Sequence, residues 1–316
     1  MNESSLILGN GFDLNLGLRT TYRQFAESEF WTIGNWAVQS GLAQTLESEK
    51  NENLNWFDLE RILAKYAMPK QRVAWSPLDM LQKDKQCFYA LQGSLGKYIA
   101  HAEEQKIQST SLAARLLEII TRQYPIDNIF SYNYTNLNTF TKQLNLPHLR
   151  YKHVHGQCSD GSQILGISDE IQIRAGYDFL YKTCSPHYLS SNVRYALQRS
   201  SFVLFFGHSL GPQDYHYFAQ FFKAQSRQDI REQDKKTIFI ITYNEESRMD
   251  ILKQLRRMND GWVNLLYDCN DLRLFMTDVT PQEEIVWAVT NKLGKIQKDK
   301  EREKISLFVK QEVGNV

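Results

Sequence analysis

Short apolar blocks that halt at glycine or at a polar cluster alternate along this chain with stretches of helical spacing. Residues 4–8, SSLIL, end in an apolar run that stops at Gly9, the pattern of a buried parallel strand. Thr20 and Thr21 offer N-caps to the helix that opens with YRQFAESEFW, where Tyr22, Phe25, Ala26 and Phe30 share a face. From about Trp36 to Tyr124 the spacing is helical almost throughout. NWFDLERILAKYA places Trp56, Leu59, Ile62, Leu63 and Tyr66 on one side. Strand character returns at 127–134 (DNIFSYNY), 149–156 (LRYKHVHG), 163–168 (QILGIS), 201–210 (SFVLFFGHSL) and 236–244 (KTIFIITYN). Helices are predicted between them, among them DYHYFAQFFKAQ with Tyr217, Phe218, Phe221 and Phe222 inward. VNLLYDC is expected to close the sheet, and PQEEIVWAVTNKLGKI to form a last helix with a charged tail.

Strands that are short apolar blocks, alternating with helices, predict an α/β fold around a mostly parallel, Rossmann-like sheet. The organisation expected is one α/β domain over 1–295, a helical insertion at 36–125 and a charged helical tail at 296–316.

With 42% hydrophobic and 23% charged residues, the 316-residue chain supplies a sizeable core and does not read as disordered. A net charge of +1 gives no global basic field, so nucleic acid is not an expected partner. Cys87, Cys158, Cys184 and Cys269 form no CxxC pair and read as reduced, structural thiols. Cys158, close after His155, is the weaker candidate for a nucleophile. The longest apolar run, FVLFF at 202–206, falls far short of the roughly 20 residues a membrane span needs. No membrane partner is expected, and the location expected is cytoplasmic.

In open parallel sheets ligands bind beyond the carboxyl ends of the strands, and there the sequence is unusual. Gly9, Asn10, Gly11, Phe12 and Asp13, then Gly17, follow the first block, in what reads as a long loop able to approach a phosphate closely. The alternative is a glycine turn with Asp13 as a local cap. Ser131, Tyr132, Asn133, Tyr134, Thr135 and Asn136 follow the second, and Asn133 suits ordering of a water or a sugar hydroxyl. His153 and His155 share a face if the segment is a strand. With no third ligand at convincing spacing, His155 reads as a general base and no metal is expected. Gly207, His208, Ser209 and Asp214 follow the most apolar block. Ser209 is a candidate for holding a phosphate, while Asp214 is placed either in the site or as a cap for the next helix. Tyr243 and Asn244 stand where a doubly wound fold often holds an adenosine.

LGNGFDLNLGLRTTYRQF, FSYNYTN, HVHG and FFGHSLGPQDYHYF resemble the bacteriophage abortive-infection AbiH family, and WFDLE at 56–60 resembles a further element of it. A more distant similarity is to sirtuins, which consume NAD on a Rossmann-like sheet. Gly9-Asn10-Gly11 with Gly17, Asn133, His155-Gly156, Gly207-His208-Ser209 and Asn244 are similar to sirtuin motifs in this order. Thr135 stands where sirtuins carry an aspartate, and the zinc-binding cysteine quartet is missing, so a sirtuin-like sheet without a zinc module is implied.

The resemblance implies an antiviral protein that hydrolyses NAD, its substrate, with Asn133 and His155 as catalytic residues. Gly9, Asn10, Gly11, Asp13, Gly17, Ser131, Gly207, His208, Ser209, Asp214, Tyr243 and Asn244 are implied to bind the nucleotide. A phage-derived trigger and self-association through the helical insertion are the further partners expected. Two alternatives stand beside it. One is a module that senses NAD, ADP-ribose or another nucleotide without cleaving it. The other is a metal-dependent nuclease using Asp13, Asp58, Glu60 and Asp214.

Overall fold

The computed structural model describes residues 3–53, 58–69 and 78–313, with side chains described as far as 306. Trp56 and Phe57 therefore lie outside the described residues.

Six strands form one all-parallel sheet. They are β1 (Glu3–Leu8), β2 (Asn128–Ser131), β3 (Lys152–His153), β4 (Ser200–Phe206), β5 (Thr237–Thr242) and β6 (Asp271–Met276), in the spatial order β3-β2-β1-β4-β5-β6. This is the order of a Rossmann-like doubly wound sheet, and it reverses between β1 and β4. The two central strands run in register, Leu6 opposite Leu204 and Ile7 opposite Phe205.

The apolar strand blocks are continuous because both faces are covered. Leu6, Leu8, Phe202, Leu204, Phe206, Phe239 and Ile241 point to one face. There they meet α6 (Leu112–Glu118), α7 (Leu137–Gln143) and the first half of α12 (Gln282–Val313). Ile7, Val203, Phe205, Ile238 and Ile240 point to the other. There they meet α8 (Val193–Arg199), α9 (Tyr215–Gln225), α10 (Glu245–Met258) and α11 (Val263–Cys269).

Between β1 and β2 the chain builds a separate helical core from α2 (Tyr22–Ala26), α3 (Gly41–Asn53), α4 (Leu59–Ala67) and α5 (Leu78–Glu103). Its boundary differs from the predicted 36–125. Phe25 and Ile33 already belong to it, and so do Leu165, Ile167, Tyr177 and Leu180 from the segment after β3. Helix α6 instead packs on the sheet. Leu59, Ile62, Leu63 and Tyr66, the apolar face of the insertion through which self-association is expected, are buried within this core.

Three further expectations are corrected. VNLLYDC is helix α11, because Val263, Leu266 and Cys269 are spaced to bury one helical face, and the closing strand is the half-exposed β6. QILGIS forms no strand, only the bridge of Ile167 to Tyr181. The last helix and the charged tail are one helix, α12, tied back to the sheet by Lys300 bonded to Asp127 at 2.6 Å. Among the described residues no helix is long and apolar enough to cross a membrane.

Candidate functional site

The residues after Leu8 are not the long loop the sequence suggests. They form a short helix, α1 (Asn10–Asn15), which ends when Gly17 turns left-handed at φ 89°. The N–H groups of Gly17 and Leu18 close on the carbonyls of Leu14 and Asp13, a Schellman motif. Thr21 caps α2 in a reciprocal pair with Gln24, as predicted, whereas Thr20 donates to Asn10 Oδ1 at 2.6 Å.

The glycines serve packing. The N–H of Gly9 bonds the carbonyl of Phe206, and that of Gly11 bonds the carbonyl of Gly207. A Cβ on Gly9 would meet the His208 backbone at 2.5 Å, and one on Gly11 would meet Gly207 at 2.6 Å. The turns that follow β1 and β4 are thus pressed backbone to backbone, and the Gly9 and Gly11 amides are already spent. Gly17 lies against Gln108 and lines neither of the two cavities described next.

Two lobes of a crevice flank the Gly207–Ser209 turn at the strand-order reversal. The first, of about 400 Å³, lies over the ends of β1, β2 and β4 and is lined by Asn10, Asp13, Asn133, His155, His208 and Asp214, among others. The second, of about 640 Å³, lies over the ends of β4 and β5 and includes Ser209, Thr242, Tyr243, Ser247 and Asp250. Asn133 and His155 thus meet in one lobe although they come from different strand ends. Ser131 stays behind them, its hydroxyl taking the N–H of Asn133 at 3.2 Å. Asn244 does not line the second lobe; it caps α10 by accepting from Ser247.

Asn133 is anchored. Its amide donates to the carbonyl of Gly9 at 3.0 Å and to Asp13 Oδ1 at 2.8 Å. Thr135 donates to the other oxygen of Asp13 at 2.8 Å. Burial raises the Asp13 carboxyl to about 7, against the pull of those two hydrogen bonds.

His155 sits in the loop beyond β3 rather than on the strand, which is only two residues long. The carbonyl of His155 is fixed by the N–H of Ile164 at 2.7 Å. His153 turns elsewhere, to the carbonyl of Asn133 and the hydroxyl of Tyr151, so the two histidines do not form a pair. Nε2 of His155 lies 3.1 Å from Asp214 Oδ1 and 3.4 Å from Lys182 Nζ. Asp214 stands at the N-cap of α9 but caps nothing. Its carboxylate faces His155, Lys182 at 3.6 Å and His208 at 3.6 Å. Lys182 lies 3.1 Å from Glu60, which α4 brings in from the helical unit.

Burial pushes the Asp214 carboxyl upward, but Lys182 and His155 outweigh it and hold the group well below the usual range. Burial lifts Glu60 to about 7 against Lys182. It also depresses both histidines, His208 to about 4, so both are neutral near pH 7. The Nδ1 of His208 accepts the N–H of Leu210 at 3.0 Å, which places its one proton on Nε2, facing Asp214. Burial pushes Cys158 up to about 12, so it supplies no thiolate near neutrality.

The four acids of the nuclease alternative all line the first lobe, but each is engaged with other partners. Asp13 holds Asn133 and Thr135, Asp58 caps α4 by accepting from Arg61, and Lys182 occupies the space between Glu60 and Asp214. Among the described residues no group of three or more His, Cys, Asp or Glu is placed to hold a metal ion. Lys182 is the residue that sequence reasoning missed. It lies in the aperiodic stretch after β3, where neither periodicity nor a motif marks it.

The family model of bacteriophage abortive infection AbiH matches residues 6–233. The chain belongs to the AbiH family. The match takes in the first lobe entirely and stops before β5, so Thr242, Tyr243, Ser247 and Asp250 of the second lobe lie beyond it. AbiH membership supports an anti-phage role in abortive infection. No curated protein matches the chain.

Proposed function

We propose that this AbiH-family chain hydrolyses NAD to nicotinamide and ADP-ribose. The observation that carries the reading is the meeting of Asn133 and His155 in one lobe at the strand-order reversal, with a second lobe across the Gly207–Ser209 turn. An extended dinucleotide fits such a pair of lobes. The nicotinamide ribose belongs over Asn133 and His155, and the adenosine beside Tyr243.

The electrostatics of the first lobe suit this chemistry. Nicotinamide leaves from a cationic ring, and the transition state resembles an oxocarbenium ion. Among the described residues, Asp58, Glu60 and Asp214 line the lobe against the single cation of Lys182, and the excess of acidic groups favours positive charge there. Water attacks C1′ of the ribose as the bond from C1′ to the nicotinamide nitrogen breaks. The bonding pair leaves with nicotinamide, which becomes neutral, and a water proton passes to His155. A general base must be neutral beforehand, and burial keeps His155 so.

The test follows nicotinamide release by the purified chain and NAD levels in phage-challenged cells that express it. The wild type is expected to release nicotinamide in one or both settings. Asn133→Ala and His155→Ala are each expected to lower turnover by about 10²–10⁴-fold with the fold intact by circular dichroism. If both variants turn over like the wild type, the assignment fails. If NAD binds and stays intact for hours while cells are protected, the chain is a nucleotide sensor.

A further inference from the structure

Asn133 carries an amide with two hydrogens and one oxygen, and its surroundings decide which of them a ligand meets. Nδ2 donates to the carbonyl of Gly9 and to Asp13 Oδ1. The Gly9 carbonyl is an acceptor at every pH, so turning the amide over would set oxygen against oxygen. Both hydrogens are committed, and the oxygen is left for the cavity that Asn133 lines. Asp13 is itself 1% exposed and gives its second oxygen to Thr135.

We propose that Asp13 is a positioning residue, which locks Asn133 so that the first lobe presents an obligate acceptor to a ligand hydroxyl or a water molecule. A phosphate oxygen or a carbonyl has no hydrogen to offer there. On the NAD reading, on which this assignment of the hydroxyl rests, the group is a ribose hydroxyl or the attacking water. The lock itself stands without that reading.

Asp13 comes from α1, and Asn133 and Thr135 from the loop after β2. Glu103 of α5 and Tyr151 before β3 also face it electrostatically. Burial raises Asp13 to about 7, so the ionised anchor is lost as pH falls below that value. The stability sign is the reverse of the usual carboxylate. The group's contribution is fullest below the ordinary carboxyl range and is lost as pH rises toward about 7. A buried anion kept at the expense of stability is what a positioning role requires.

The test has a ligand-free arm and a kinetic arm. In the ligand-free chain, the side-chain amide resonances of Asn133 are expected to titrate near pH 7 and to stop doing so in Asp13→Asn. Asp13→Asn is also expected to raise the melting temperature at about pH 8, with the gain shrinking toward about pH 5. In the kinetic arm, wild-type kcat falls below about pH 7. Asp13→Ala lowers kcat about a hundredfold with little change in KM, and Asp13→Asn restores part of it with a flatter pH profile. Asn133 resonances that ignore both pH and Asp13→Asn would overturn the proposal, whatever NAD does. An Asp13→Asn that melts lower at about pH 8 and keeps wild-type kcat would also overturn it. Titrating resonances in a chain that never releases nicotinamide would uphold the lock and sink only the NADase reading.

Discussion

Gly207 is the residue on which the site's geometry turns. Its φ is 66°, and a Cβ there would meet the backbone of Gly11 and Phe12 at 2.4 Å. Two strand-end turns share that contact, so nothing can yield at the tip of a flexible side chain. Gly207→Ala is expected to destabilise the chain by more than the roughly 1–2 kcal/mol that the left-handed conformation alone costs. Urea unfolding measures this, and a change within about 0.5 kcal/mol would contradict it. The glycines were legible as a special backbone, since three of them crowd the first seventeen residues. Their reason was not legible, because Gly9 and Gly11 press against a turn some 200 residues away in the chain. Asn133 and His155 could be singled out because each follows an apolar block. The bond between Asn133 and Asp13 spans 120 residues and leaves no mark on periodicity.

At the scale of elements, the central strands β1, β4 and β5 were legible because burial on both faces makes them unbroken apolar blocks. The edges were not. Strand β6 exposes Arg273 and fully buries only Leu272 and Phe275, so the more apolar α11 beside it drew the reading. Strand β3 pairs over two residues only, since the chain soon turns at Gly156, whose φ is 69°. The helical unit reaches the sheet's crevice through Glu60 of α4, and Lys182 joins that carboxylate to Asp214 ahead of α9. Lys182→Met would leave two buried carboxylates facing each other without a cation. Removing one partner of a buried ion pair costs about 3–5 kcal/mol. Thermal unfolding is expected to show such a loss at neutral pH, and an unchanged melting temperature would contradict the bridging role.

At the scale of the molecule, the strand order, the two lobes and the helical unit form one arrangement. The sheet supplies a reversal point, the Gly207–Ser209 turn divides the crevice there, and the helical unit contributes Asp58 and Glu60 to its wall. The AbiH match covers the part that holds Asn133 and His155 and leaves β5 and α10 outside. The two halves of the crevice can therefore be tested together only by a ligand long enough to touch both. The measurement that does so is a crystal structure of the chain with ADP-ribose. On the NAD proposal, the free ribose is expected against Asn133 and His155, the diphosphate across the Gly207–Ser209 turn, and the adenine beside Tyr243. A nucleotide bound away from the ends of β1 and β4, or confined to one lobe with Asn133 and His155 untouched, would contradict it.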